Sequence, residues 1–116
     1  MGLSRFKPSA ICANPRHFGR VKNPRWVNPN WLNETQSASA IYQHRAAFAA
    51  LESLKASEQT VEWPAGSLGE DVAWLRRKLY GQSPADLGDV MEWSLVLGID
   101  VLPVFDDSSK LRIKVS

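Results

Sequence analysis

A chain of 116 residues, 44% of them hydrophobic, suits one globular domain, and it has no apolar run approaching the roughly 18 residues of a membrane span. The net charge of +2 hides a split: residues 1–33 carry six bases and no acid, while the rest holds eight bases and twelve acids. One cysteine, Cys12, excludes an internal disulfide, and no apolar stretch follows Arg5 and Lys7 as in a secretory signal, so a cytoplasmic protein is expected.

Residues 1–36 lack helical or strand periodicity, and Pro8, Pro15, Pro24 and Pro29 suppress regular structure. They read as a basic, extended N-terminal arm. A short motif recurs in it, at Asn14-Pro15-Arg16-His17, Asn23-Pro24-Arg25-Trp26 and Asn28-Pro29-Asn30-Trp31, each an Asx-Pro turn followed by a ring. Linkers seldom carry two tryptophans, so part of the arm is expected to dock, with Trp26 and Trp31 packed on the domain or on a protein partner. Arg5, Lys7, Arg16, Arg20, Lys22 and Arg25 form the set that neutralises nucleic-acid phosphates, because counterion release favours a basic segment there. A solvated tail is the competing reading.

A first helix is expected over residues 39–55, from the spacing of Ile41, Phe48, Leu51 and Leu54, with Ser37 or Ser39 as its N-cap. In residues 60–81, Ala65 and Gly69 suit two short helices crossing at a tight turn, since contact needs a small side chain and the turn a positive φ. Leu68, Val72, Leu75 and Leu79 supply an apolar stripe on both sides of that turn. The second helix, residues 70–80, opens on Glu70 and Asp71 and closes on Arg76, Arg77 and Lys78, both favourable to its dipole, with Gly81 as its stop. Pro64 disfavours helical geometry at Trp63, so the helix before the turn is expected to begin at Pro64.

A further helix follows, capped by Ser83, with Pro84 first and Asp86 in its opening turn; Leu87, Val90, Met91, Leu95 and Leu97 form its apolar side and Gly98 ends it. Residues 111–115 alternate and read as a short strand. It either completes a hairpin with residues 99–105, where Pro103 confines the first strand to an edge, or joins a second subunit in a homodimer. The expected fold is mainly α, with four or five helices, divided into the arm (1–36), a helical domain (37–103) and a C-terminal strand or tail (104–116).

The residues Thr60, Val61, Ala65, Leu68 and Gly69, followed without a gap by Leu75, Lys78, Leu79 and Gly81, resemble the lambda-repressor/Cro (XRE) helix-turn-helix family. Pro84, Leu87, Leu97, Gly98 and Ile99 match the family's next helix, so the likeness covers residues 41–103. Two positions depart from the pattern: Pro64 stands for the usual leucine, and Glu70 for a small apolar residue. The resemblance implies a bacterial or phage transcriptional regulator binding double-stranded DNA, with helix 70–80 in the major groove. Asp71, Ala73, Trp74, Arg76 and Arg77 would then face outward and Leu75 and Leu79 inward. Arg76 and Arg77 would read guanines, while Lys78 and Lys55 would touch phosphates. Asp71 either accepts from a cytosine amine or caps the helix; Trp74 either stacks or forms an interface from an exposed face, or packs in the core.

Catalysis finds no support in the pattern. His17 and His44 are the only histidines, no nucleophile and base share a motif, and Cys12 with His17 cannot complete a zinc site. No metal or cofactor is expected. The rival reading is a protein-interaction or structural accessory module on a degenerate helix-turn-helix fold, with Trp26, Trp31 and Trp74 as anchors.

Overall fold

Alanine shapes the helix around which the chain is built. In a computed structural model describing residues 7–27, 34–99, 101–105 and 111–115, α1 runs Glu34–Ala56, α2 Glu62–Leu68, α3 Val72–Leu79 and α4 Leu87–Leu97. Ala40, Ala46, Ala47 and Ala50 of α1 are wholly buried, and Tyr42, Gln43, His44 and Leu54 join them. Such small side chains let neighbours approach closely, and α1 packs against the N-terminal segment, α3 and α4. The helix starts five residues earlier than its apolar spacing indicates. Ser37 and Ser39 therefore lie inside it and are not caps; the Ser39 hydroxyl instead accepts a bond from Gln43 Nε2 at 3.0 Å. Residues 34–38 contain neither Gly nor Pro, and Glu34 suits the positive end of the helix dipole.

The described part of the basic segment is no extended arm. Prolines open two 3-10 turns, Pro8–Ile11 and Pro15–His17, and the Asn14 side chain accepts from the Arg16 N–H at 3.1 Å, an Asx turn. Residues 11–13 then pair with 25–27, through Ala13 N–H to Arg25 O and Val27 N–H to Ile11 O, both 2.8 Å. This loop carries Ile11, Cys12 and Phe18 into the same core as α1. The boundary at residue 36 thus falls within α1, and residues 8–27 belong to the helical body. Arg5 and Trp31 lie outside the described residues.

The connection between α2 and α3 turns on Gly69, whose φ of 66° is left-handed. Glu70 N–H reaches Ala65 O at 2.8 Å across the turn. Pro64 does not start α2 but is its third residue, so Trp63 is helical after all. An amide at that position has no intrahelical acceptor, and proline costs nothing there. α3 is capped by Asp71, which accepts from Ala73 N–H at 2.7 Å, and it buries Leu75 and Leu79. At its end Gly81 takes φ 74°, and a Cβ there would stand 2.7 Å from the Phe18 ring and 2.8 Å from Ser9 N. Ser9 N–H donates to Gly81 O at 3.0 Å, which ties the N-terminal segment to this turn.

α4 begins later than its proline indicates. Asp86 and Asp89 cap it reciprocally, each carboxylate accepting the other's N–H at 2.8 and 3.0 Å. Ser83 and Pro84 precede the helix, and the Gln43 side chain takes the Ala85 N–H at 2.8 Å. Its core face is Val90 and Trp93 with Leu97 partly buried; Leu87, Met91 and Leu95 are 51, 50 and 84% exposed. α4 carries two apolar stripes, and the one holding the large Trp93 surface is turned inward. After it, the backbone of Val101–Phe105 runs antiparallel to Leu111–Val115, with Val101 opposite Val115. Among the described residues no helix is long and apolar enough to cross a membrane.

Candidate nucleic-acid interface

An α-helix advances about 100° per residue, so the burial of Leu75, Lys78 and Leu79 turns the opposite side of α3 outward. Asp71, Ala73, Trp74, Arg76 and Arg77 are all exposed. Ala73 and Arg77, one turn apart, form the crest. Arg76 and Tyr80 line one flank, Trp74 and Lys78 the other.

The two flanks differ in charge. On the Tyr80 side, Arg20 from the N-terminal segment sets its guanidinium over the Tyr80 ring at 4.0 Å and donates to Arg16 O at 3.3 Å. The fold therefore brings Arg16 and Arg20 to the end of α3, although more than fifty residues separate them in the chain. Among the described residues the ion pairs are those of Lys78, so Arg16, Arg20, Arg76 and Arg77 have no carboxylate partner. On the Trp74 side, the Lys78 ammonium lies 3.0 Å from Asp89, 3.4 Å from Glu70 and 5.4 Å from the centre of the Trp74 ring. The carboxylates of Glu70, Asp89 and Glu92 lie within 4.8 Å of one another there.

Lys78 is thus not a phosphate contact. It is 8% exposed, and its charge is spent within the protein. Burial alone pulls its pKa down, but the hydrogen bond and charge of Asp89, with those of Glu70, outweigh burial and hold the ammonium above its usual range. Glu70, the departure from the family pattern, gains its partner here. A pairing between residues 70, 78 and 89 follows no helical spacing, so sequence gave no sign of it.

The remaining basic residues spread around the segment. Lys7, Lys22 and Arg25 are exposed, as is Lys55 at the end of α1. Asp71 carries out the capping geometry, and Trp74, 46% exposed, is not a core residue. Trp26 is half-buried and docks on the domain itself, edge-on to the His44 ring at 5.2 Å.

His44 has a part that its sequence position concealed. Fully buried, it accepts the Gly19 N–H on Nδ1 at 2.8 Å, with Nε2 3.4 Å from Lys22 O. A backbone amide can only donate, so the proton sits on Nε2. Burial lowers the pKa; the Lys22 carbonyl opposes this, and the Arg45 charge adds to it. The imidazole is a neutral strut between α1 and the N-terminal segment. Cys12 is similarly quiet: burial pushes its thiol up to about 11, far from a reactive thiolate.

Comparison with protein-family models, curated proteins and solved structures returns no match for this chain.

Proposed function

We propose that this chain is a DNA-binding helix-turn-helix protein, a transcriptional regulator of the lambda-repressor/Cro kind, that sets α3 into the major groove. The observation that carries the reading is the exposed crest and flank of α3. Ala73, Arg76 and Arg77 stand outward, the two arginines have no carboxylate partner among the described residues, and a second pair of arginines is drawn up beside them. Arg76 and Arg77 read base edges, for which a guanidinium fork suits the O6 and N7 of guanine. Lys7, Lys22 and Arg25, with Arg16 and Arg20, supply the phosphate contacts that an acidic body cannot. The Trp74 flank, with its three carboxylates, faces away from the duplex or toward its open side. Binding is expected as a homodimer on a twofold site.

Fluorescence anisotropy with a labelled random-sequence duplex at low salt tests the reading. Binding at micromolar protein that weakens steeply with added salt is expected. No binding at any salt concentration contradicts it.

One observation favours the rival protein-interaction reading: Leu87, Met91 and Leu95 leave an apolar stripe exposed on α4, and Trp63 and Trp74 are each 46% exposed. Protein that ignores the duplex yet loses self-association or partner capture on Met91→Ser and Leu95→Ser would place the function on that stripe.

A further inference from the structure

Where the N-terminal segment meets the end of α3 there is a notch of about 110 Å³, lined by Ser9, Pro15, Arg16, Arg20, Tyr80 and Gln82. We propose that this notch is a phosphate-binding site that takes one backbone phosphate of the duplex beside the groove that α3 enters. The proposal rests on the DNA-binding reading above and assigns it a fixed point of contact.

Arg20 is set in place before any ligand arrives. Its guanidinium is stacked at 4.0 Å over Tyr80, and one N–H is committed to Arg16 O at 3.3 Å. The rest of the five-donor fork is available, and little side-chain entropy remains to be lost on binding. Arg16 lines the same notch, and neither arginine has a carboxylate partner among the described residues. Two unpaired guanidinium groups around one small space repel each other, and an anion between them relieves the repulsion. The backbone amides of Ser9 and Gln82 are already taken, by Gly81 O at 3.0 Å and Arg77 O at 2.9 Å. The hydroxyls of Ser9 and Tyr80 and the Gln82 carboxamide are the neutral side-chain donors among the lining residues that can complete a phosphate shell.

The position gives the site a consequence for docking. Tyr80 directly follows α3 and lies one turn from Arg76, on the flank opposite Lys78, Glu70 and Asp89. A phosphate held there fixes the end of α3 against one strand and keeps the acidic flank off the other.

Two titrations separate this proposal from the reading beneath it. In ¹H–¹⁵N spectra, inorganic phosphate at constant ionic strength should shift Ser9, Arg16, Arg20 and Gln82, and Arg16→Gln should remove the response. With duplex DNA, Arg16→Gln should lower the slope of log K against log salt by roughly 0.9, as for one lost phosphate contact, and leave sequence preference unchanged. Arg16 is exposed, so this variant folds; Arg20→Lys, which keeps charge but loses the planar stack, should weaken the phosphate response as well. Duplex binding with an unchanged slope in both variants overturns the notch and leaves the DNA-binding reading standing. A phosphate response without duplex binding overturns DNA as the source of the phosphate; if Arg16-dependent binding to phosphatidylglycerol vesicles then appears, that source is a lipid headgroup.

Discussion

His44 cannot take up a proton without losing its bond to Gly19, because Nδ1 is the acceptor and the site is buried. Burial opposes a positive charge on the ring, and the charge of Arg45 on its own helix adds to that opposition. Its folded pKa lies below that of the unfolded chain, where histidine titrates at about 6.5. The unfolded state therefore binds the proton first as pH falls. Stability owed to His44 is complete above about 6.5 and is lost progressively below it, down to the folded pKa. Urea unfolding at about pH 7 and pH 5.5 should show a lower midpoint at the acid end. His44→Gln, which can still accept from Gly19, should flatten that difference; an equal drop in the variant would show that another group titrates. Nothing in the order of residues marks His44 as a strut, because its partners come from residues 18–26. The outward set on α3 was legible through the family resemblance, which assigns each position of that helix a side. Lys78, on the same helix, was not, because its partners lie on α4 and at the turn.

At the scale of elements, two glycines separated by fifteen positions should respond oppositely to alanine. Gly81 has φ 74°, and its added Cβ would meet the Phe18 ring and Ser9 N under 3.0 Å. Gly81→Ala should cost at least about 1–2 kcal/mol from the left-handed backbone alone. Gly66 lies inside α2 with nothing within 4 Å of a new Cβ, so Gly66→Ala should stabilise by roughly 0.5–1 kcal/mol. Thermal unfolding of both variants checks the pair; destabilisation by Gly66→Ala would mean that α2 is not helical there. Helix ends were readable where a glycine takes positive φ, at Gly69, Gly81 and Gly98. They were not where two caps compete, as when Asp86 with Asp89 displaced Ser83 at the start of α4. The choice between the two stripes of α4 was equally closed to inspection, since only the neighbouring helices decide which one is covered.

For the whole molecule, the charge split in the sequence marks a basic segment but not its place in the core. Ile11 and Phe18 recur at no helical or strand period, yet they are 2% and 1% exposed. Removing residues 1–25 therefore removes part of the interior along with the positive charge. The expected result is loss of cooperative unfolding, and Phe18→Ala in the full chain should cost roughly 3–5 kcal/mol. A truncated chain that unfolds cooperatively at the original temperature would show the segment to be an appendage. Because residues 8–27 are built in, Arg16 and Arg20 are held at a fixed place beside α3. Arg16 and Arg20 thus join the end of α3 in one surface, with Glu70, Asp89 and Glu92 gathered on the Trp74 flank. The most direct test of α3 as the reading element is selection from a random duplex pool by the full chain and by its Arg76→Ala/Arg77→Ala variant. The account predicts one recurrent site for the full chain, and for the variant a loss of preference of roughly 1–3 kcal/mol per contact, with salt-dependent binding retained. Enrichment of the same site by both proteins, or of none by the full chain, would contradict it.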